Sequence, residues 1–147
     1  MSSTTPFGAA LLGQTEKTLN VILDRQLVGT GLDEHQWITL TLAVTAGGMV
    51  DREQLALRVA GGVKVTEAQA HARIAELIAA NLLEARSADE SALKVTETGQ
   101  ELHRCIRTAV GDITQRLWGD LPADDLKTAG RVLGTVLERA NAELAVA

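Results

Sequence analysis

Aromatic residues are almost missing from this sequence: Tyr is absent, Phe occurs once and Trp twice. A core with so few rings must be filled by Leu, Val, Ile and Ala, which the 46% hydrophobic share supplies, and such a core favours helices. Cysteine occurs once, at Cys105, which excludes an internal disulfide and leaves no second thiol for a metal pair. It reads as a small buried hydrophobe. The three histidines are scattered without ligand spacing, so neither a metal site nor a cofactor is expected. No stretch approaches the roughly 18 uninterrupted apolar residues of a membrane span, and the start at Met1 to Pro6 carries no basic leader. A soluble, cytoplasmic protein with no membrane partner is the expectation. The chain also lacks a phosphate-cradling glycine loop and a Gly-x-Ser-x-Gly elbow, so an enzyme is not expected. Positive charge is short as well, 14 Lys and Arg against 19 Asp and Glu, for a net charge of −5. That excludes indiscriminate coating of nucleic acid, which rests on many cation-phosphate contacts. A specific binder that gathers a few cations on one face is still allowed.

What the 147 residues do contain is one helix-start grammar, repeated. Leu32-Asp33-Glu34-His35-Gln36-Trp37 offers Asp33 as N-cap, Gln36 three residues on, and Leu32 with Trp37 as a hydrophobic staple. Val50-Asp51-Arg52-Glu53-Gln54-Leu55 and Val65-Thr66-Glu67-Ala68-Gln69-Ala70 repeat the pattern, each opening an apolar-periodic run. Before them, Phe7 to about Val28 reads as a helix with Leu12, Leu19, Ile22, Leu23 and Leu27 on one stripe, closed by Gly29-Thr30-Gly31. The pair Gly61-Gly62 is expected to make the sharp turn between the second and third capped helices. Asn81 is expected to close the third, since Asn tolerates the left-handed conformation. The period then changes. Leu82 to Arg86 and Leu93 to Val95 are short extended segments around the polar Ser87 to Ala92, a hairpin. Thr96 caps a helix from Glu97 to about Trp118, Gly119 and Pro122 break it, and a last helix carries Leu126, Val132, Leu133, Val136, Leu137 and Leu144 behind Asp124 and Asp125.

The order is a helix-turn-helix followed by a two-stranded wing. Leu32-Asp33-Glu34-His35-Gln36-Trp37-Ile38-Thr39-Leu40, Ile74 through Arg86 and Val95-Thr96-Glu97-Thr98-Gly99-Gln100-Glu101-Leu102 resemble, in order and spacing, the MarR family of winged helix-turn-helix transcription regulators. The fold class implied is mainly α with a small β-hairpin wing (α+β). It comprises an N-terminal dimerisation helix (1–31), a winged DNA-binding region (32–98) and C-terminal dimerisation helices (99–147), intertwined as a single domain. The apolar faces of the first and last helices, too broad for one winged domain to cover, point independently to a homodimer.

Double-stranded DNA is the partner this resemblance implies, with a repressor relieved by a small aromatic or anionic effector as the function. Lys64, Thr66, Gln69, Ala70, His71 and Arg73 at the start of the recognition helix, with Arg86 at the wing, are the candidate DNA contacts. Arg73 suits a guanine edge and Gln69 an adenine, while Lys64 and Thr66 suit phosphate. His35, Trp37, His103 and Arg107 are the candidate lining of an effector crevice. The wing departs from the family, whose Asp-x-Arg pattern sends an arginine into the minor groove; here Asp89-Glu90-Ser91 has Ser in that place. Between Asp51 and Gly99 acidic residues outnumber basic ones. The alternative is therefore a dimeric winged-helix module that binds a protein partner or small molecule and has weakened or lost its hold on DNA.

Overall fold

A computed structural model describes residues 5–146. The expectations for residues 1–4 and 147, at the outer ends of the two dimerisation segments, lie outside them. The elements run α1 (Ala9–Leu27), α2 (Glu34–Thr45), β1 (Met49–Asp51), α3 (Arg52–Val63), α4 (Glu67–Ala79), β2 (Leu83–Ala85), β3 (Ala92–Val95), α5 (Glu97–Trp118) and α6 (Ala123–Ala145). They form two compact units, one ending at Val110 and one beginning at Gly111.

The helix starts are built as their spacing dictates. Asp33 Oδ1 accepts from Gln36 N at 2.8 Å while Gln36 Oε1 accepts from Asp33 N at 2.9 Å, a reciprocal box that satisfies two otherwise orphaned amides of α2. Thr66 and Gln69 do the same for α4, and Asp51 caps Gln54 N for α3. At the far end of α4, Asn81 takes φ 64° and turns the chain into β2. Thr96 Oγ1 accepts from Gly99 N, opening α5.

Two details correct the sequence reading. Gly61 and Gly62 lie inside α3, and the sharp turn falls on Lys64, left-handed at φ 59°, ψ 48°. A third strand, β1, is present: β3 is central, pairing antiparallel with β1 through Val50 opposite Leu93 and with β2 through Glu84 opposite Lys94. Three residues carry no period of their own, so β1 exists through its partner rather than its propensity.

The core of the first unit gathers Leu40 and Ala43 of α2, Leu55, Ala56 and Val59 of α3, Ala70, Ile74 and Leu77 of α4, and Leu83, Leu93 and Val95 of the sheet. Each large aliphatic member contributes about 1.5–3 kcal/mol by leaving water. Gly99 lets α5 approach the sheet closely: a Cβ there would lie 2.3 Å from the Leu82 carbonyl oxygen. A second cluster joins Leu27 of α1, Trp37 of α2 and Ile106 of α5. In the unit from Gly111, α6 has no buried residue, and Leu126, Leu133, Val136, Leu137 and Leu144 leave one apolar stripe exposed. Cys105, expected inside, is exposed, with Sγ 3.7 Å from Glu101 Oε1. The buried stripe of α5 runs Gly99, His103, Ile106, and position 105 falls off it.

Candidate nucleic-acid interface

α3, the Lys64 turn and α4 form the helix-turn-helix, and β2 and β3 form the wing. Its exposed polar groups are largely satisfied within the protein. Gln69 spends its Oε1 on Thr66 N, so its amide is not free to make the two-point contact an adenine edge requires. Ala70 is fully buried in the core and reaches no ligand, which withdraws it from the candidate contacts; it shares one stripe with Ile74 and Leu77. His71 faces α3, where its Nδ1 accepts from Arg52 Nε at 3.2 Å and its Nε2 lies 3.4 Å from Glu53 Oε1. Arg73 Nε sits 2.7 Å from Glu76 Oε1 and its Nη2 donates to Oε2 at 2.9 Å. Arg86 on the wing donates from Nη1 to the Met49 thioether at 2.8 Å, a weak acceptor that leaves most of the guanidinium to solvent. Lys64 and Thr66 are exposed at the turn.

The wing loop is tied by an aspartate. Asp89 Oδ1 accepts from Ser87 Oγ, Ser91 N and Ser91 Oγ, between 2.8 and 3.1 Å. The Ser87 hydroxyl, followed by the Ser91 amide and hydroxyl, holds the Asp89 carboxyl down to about 2. Glu90, at the tip, takes φ 60° and places its carboxylate 3.4 Å from Arg52 Nη1. Arg52 and Glu90 are functional candidates the sequence reading did not single out. Their 38-residue separation offers no periodic signal.

A second feature lies between α2 and α5. Trp37 and His103 stack with ring centroids 4.9 Å apart. His103 is buried, its Nε2 has no hydrogen-bond partner among the described residues, and desolvation, then the charge of Arg107, push its pKa below the usual histidine value. Beside it opens a cavity of about 410 Å³ lined by Val44, Gln100, His103, Arg104, Arg107 and Thr108. Three of the four crevice candidates, Trp37, His103 and Arg107, are thus brought together. His35, on the first turn of α2, is half-buried, and its carbonyl accepts from Thr39 Oγ1. No helix among the described residues is long and apolar enough to cross a membrane, and they hold no cluster of three metal-ligating side chains.

No family model and no curated protein matches the sequence. Solved structures do. A MarR family transcriptional regulator from Silicibacter pomeroyi is 20% identical with a TM-score of 0.72, over 88% of this chain and 86% of that one. A mutant MarR from E. coli complexed with operator DNA is 17% identical with a TM-score of 0.68, over 87% and 91%. The organohalide-sensing regulator RdhR in its 2,4-dichlorophenol-bound form is 12% identical with a TM-score of 0.73, over 88% and 77%. The fold is therefore mainly α with a small antiparallel sheet, the winged helix of MarR-family structures.

Proposed function

We propose that this protein is a MarR-type transcription regulator that binds a pseudo-palindromic DNA site as a homodimer and releases it when a small effector occupies the α2-α5 crevice. The observation that carries this reading is the helix-turn-helix and wing, in the fold shared with a regulator solved on its operator. The first helix of such a motif crosses the phosphate backbone and the second enters the major groove. Lys64, Thr66 and the exposed turns of α4 then meet DNA beside Arg86 on the wing. The apolar stripe on α6 is the surface a second copy would cover, and half-sites about 34–36 Å apart follow.

The crevice suits a small aromatic anion. It offers a buried imidazole whose Nε2 has no hydrogen-bond partner among the described residues, backed by an indole, and the guanidinium of Arg107 on its wall. RdhR, of similar fold, was solved with a chlorinated phenol.

Gel shift with the promoter region beside its own gene, at low and physiological salt, tests the DNA reading. A specific shift that weakens with salt is expected, and none at either salt overturns it. Light scattering tests the dimer, and a monomer at micromolar concentration defeats it. Titration of 2,4-dichlorophenol and benzoate against tryptophan fluorescence tests the crevice; a response abolished by His103→Ala is expected. The alternative, a winged module turned to a protein partner, draws on the carboxylates that already occupy Arg52 and Arg73. It is preferred if dimers form but no duplex binds.

A further inference from the structure

The wing tip is bound to the start of α3 twice. Arg52 N donates to the Ser91 carbonyl at 2.8 Å, and Arg52 Nη1 lies 3.4 Å from Glu90 Oε2. The same guanidinium donates from Nε to His71 Nδ1 on α4, and His71 in turn faces Glu53. One cation thus joins α3, α4 and the wing. The two partners differ in exposure, the Arg52 side chain being 17% exposed and that of Glu90 54%, so the carboxylate faces solvent more than the cation does. Glu90 also occupies a left-handed position, φ 60°, where Gly or Asn is the ordinary choice. Local turn chemistry does not favour a glutamate there, and its carboxylate lies against Arg52.

We propose that Arg52 is a DNA-phosphate-binding residue and that Glu90 is its internal substitute for phosphate, occupying the guanidinium until a backbone phosphate displaces it. The proposal rests on the DNA-binding reading above. The first helix of a helix-turn-helix crosses the phosphate backbone, and Arg52 opens that helix on the side tied to the wing. A guanidinium fork receives a phosphate as it receives a carboxylate. His71, bonded to the opposite edge of the fork, keeps it aimed while the partner changes, and so acts as a positioning residue. The long, solvent-facing pair with Glu90 is the one that yields, because exposed ion pairs are weak. The wing thereby recovers from α3 the cation its own Asp89-Glu90-Ser91 tip does not carry.

The test is fluorescence anisotropy of the full chain on two labelled duplexes, the promoter fragment beside its own gene and a scrambled sequence of equal length, between about 50 and about 200 mM salt. Glu90→Gln is expected to tighten binding about two- to five-fold. Arg52→Gln is expected to lower the slope of log affinity against log salt by about 0.9 per subunit. In the Arg52→Gln background the gain from Glu90→Gln should fall by more than half, since the cycle isolates their coupling. Equal gains in both backgrounds, or an unchanged salt slope in Arg52→Gln, overturn the proposal. Glu84→Gln, an equal charge change on β2, decides the matter should Arg52→Gln not fold: Glu90→Gln must exceed it, and equality overturns the proposal. Binding by the wild type without coupling sinks the proposal alone. Absence of binding by every form, on both duplexes, sinks the DNA-binding reading and the proposal with it.

Discussion

Arg73 and Glu76, one turn apart on α4, are joined by a hydrogen bond from Nη2 to Oε2 and a charge contact of Nε with Oε1, and Glu76 Oε1 also accepts from Gln36 Nε2 at 2.8 Å. Because Gln36 is half of the α2 capping box, the N-cap of one helix is linked through a single carboxylate to the candidate guanine-reading arginine of another. Arg73 is therefore held in place and partly neutralised at once. Removing the carboxylate should separate those two effects. Glu76→Gln is expected to raise affinity for scrambled duplex more than for promoter duplex, measured by anisotropy, since it frees charge while loosening aim. Arg73→Ala should cost about 1–3 kcal/mol on promoter DNA and relax base preference.

Lys64 is best probed by glycine. An alanine in its left-handed position would combine loss of the cation with a change in backbone preference, whereas glycine adopts φ 59° freely. Lys64→Gly should lower the salt dependence of DNA affinity by about one unit per subunit while keeping the turn. A melting temperature that drops sharply would show that the side chain serves the fold.

Gly99→Ala should be among the most damaging small changes in the chain. Its new methyl would meet the Leu82 carbonyl oxygen at 2.3 Å and Val95 Cγ1 at 2.9 Å, and backbone cannot swing aside as a side-chain tip can. A loss of about 1–3 kcal/mol or more, read from urea denaturation, is expected.

His103 makes stability depend on pH in a defined direction. Desolvation, then Arg107, lower its folded pKa below the unfolded value of 6.5, so the unfolded chain binds the extra proton first. Its contribution is unchanged above that value and turns unfavourable as pH falls through it, levelling off below the folded pKa. The melting temperature should fall between about pH 7.5 and about pH 5.5, and fall less in His103→Gln. Asp89 acts in another window. Its pKa of about 2 stands below the ordinary 3.8, so the stability its turn contributes is present above 3.8 and is lost as pH drops towards 2.

Much of the fold was legible because its signals are local. The Asp33-Gln36 and Thr66-Gln69 boxes need only a spacing of three, and Asn81 needs only a tolerance for positive φ. What escaped depends on partners distant in sequence or on helical phase. β1 is held by β3, and the Lys64 turn has no compositional mark, so the adjacent glycines drew the expectation instead. Ala70 and Cys105 were misplaced although the phase was present: 70 lies with 74 and 77 inside, and 105 lies off the line of 99, 103 and 106. Of the candidate site, the helix α4 was legible but not the partners of its side chains. Arg73-Glu76 is a spacing any helix face reveals; Arg52-Glu90 and Gln36-Glu76 exist only once the chain has folded.

The scarcity of rings gives the molecule an optical address system. With no tyrosine, its near-ultraviolet emission comes from two indoles, one buried against His103 in the unit ending at Val110, the other 40% exposed at the end of α5 in the unit beginning at Gly111. A buried indole emits to the blue and is shielded from aqueous iodide; an exposed one emits to the red and is quenched. Trp37 and Trp118 are thus two separable channels, and an event at the crevice can be told from one at the C-terminal helices without attaching a label.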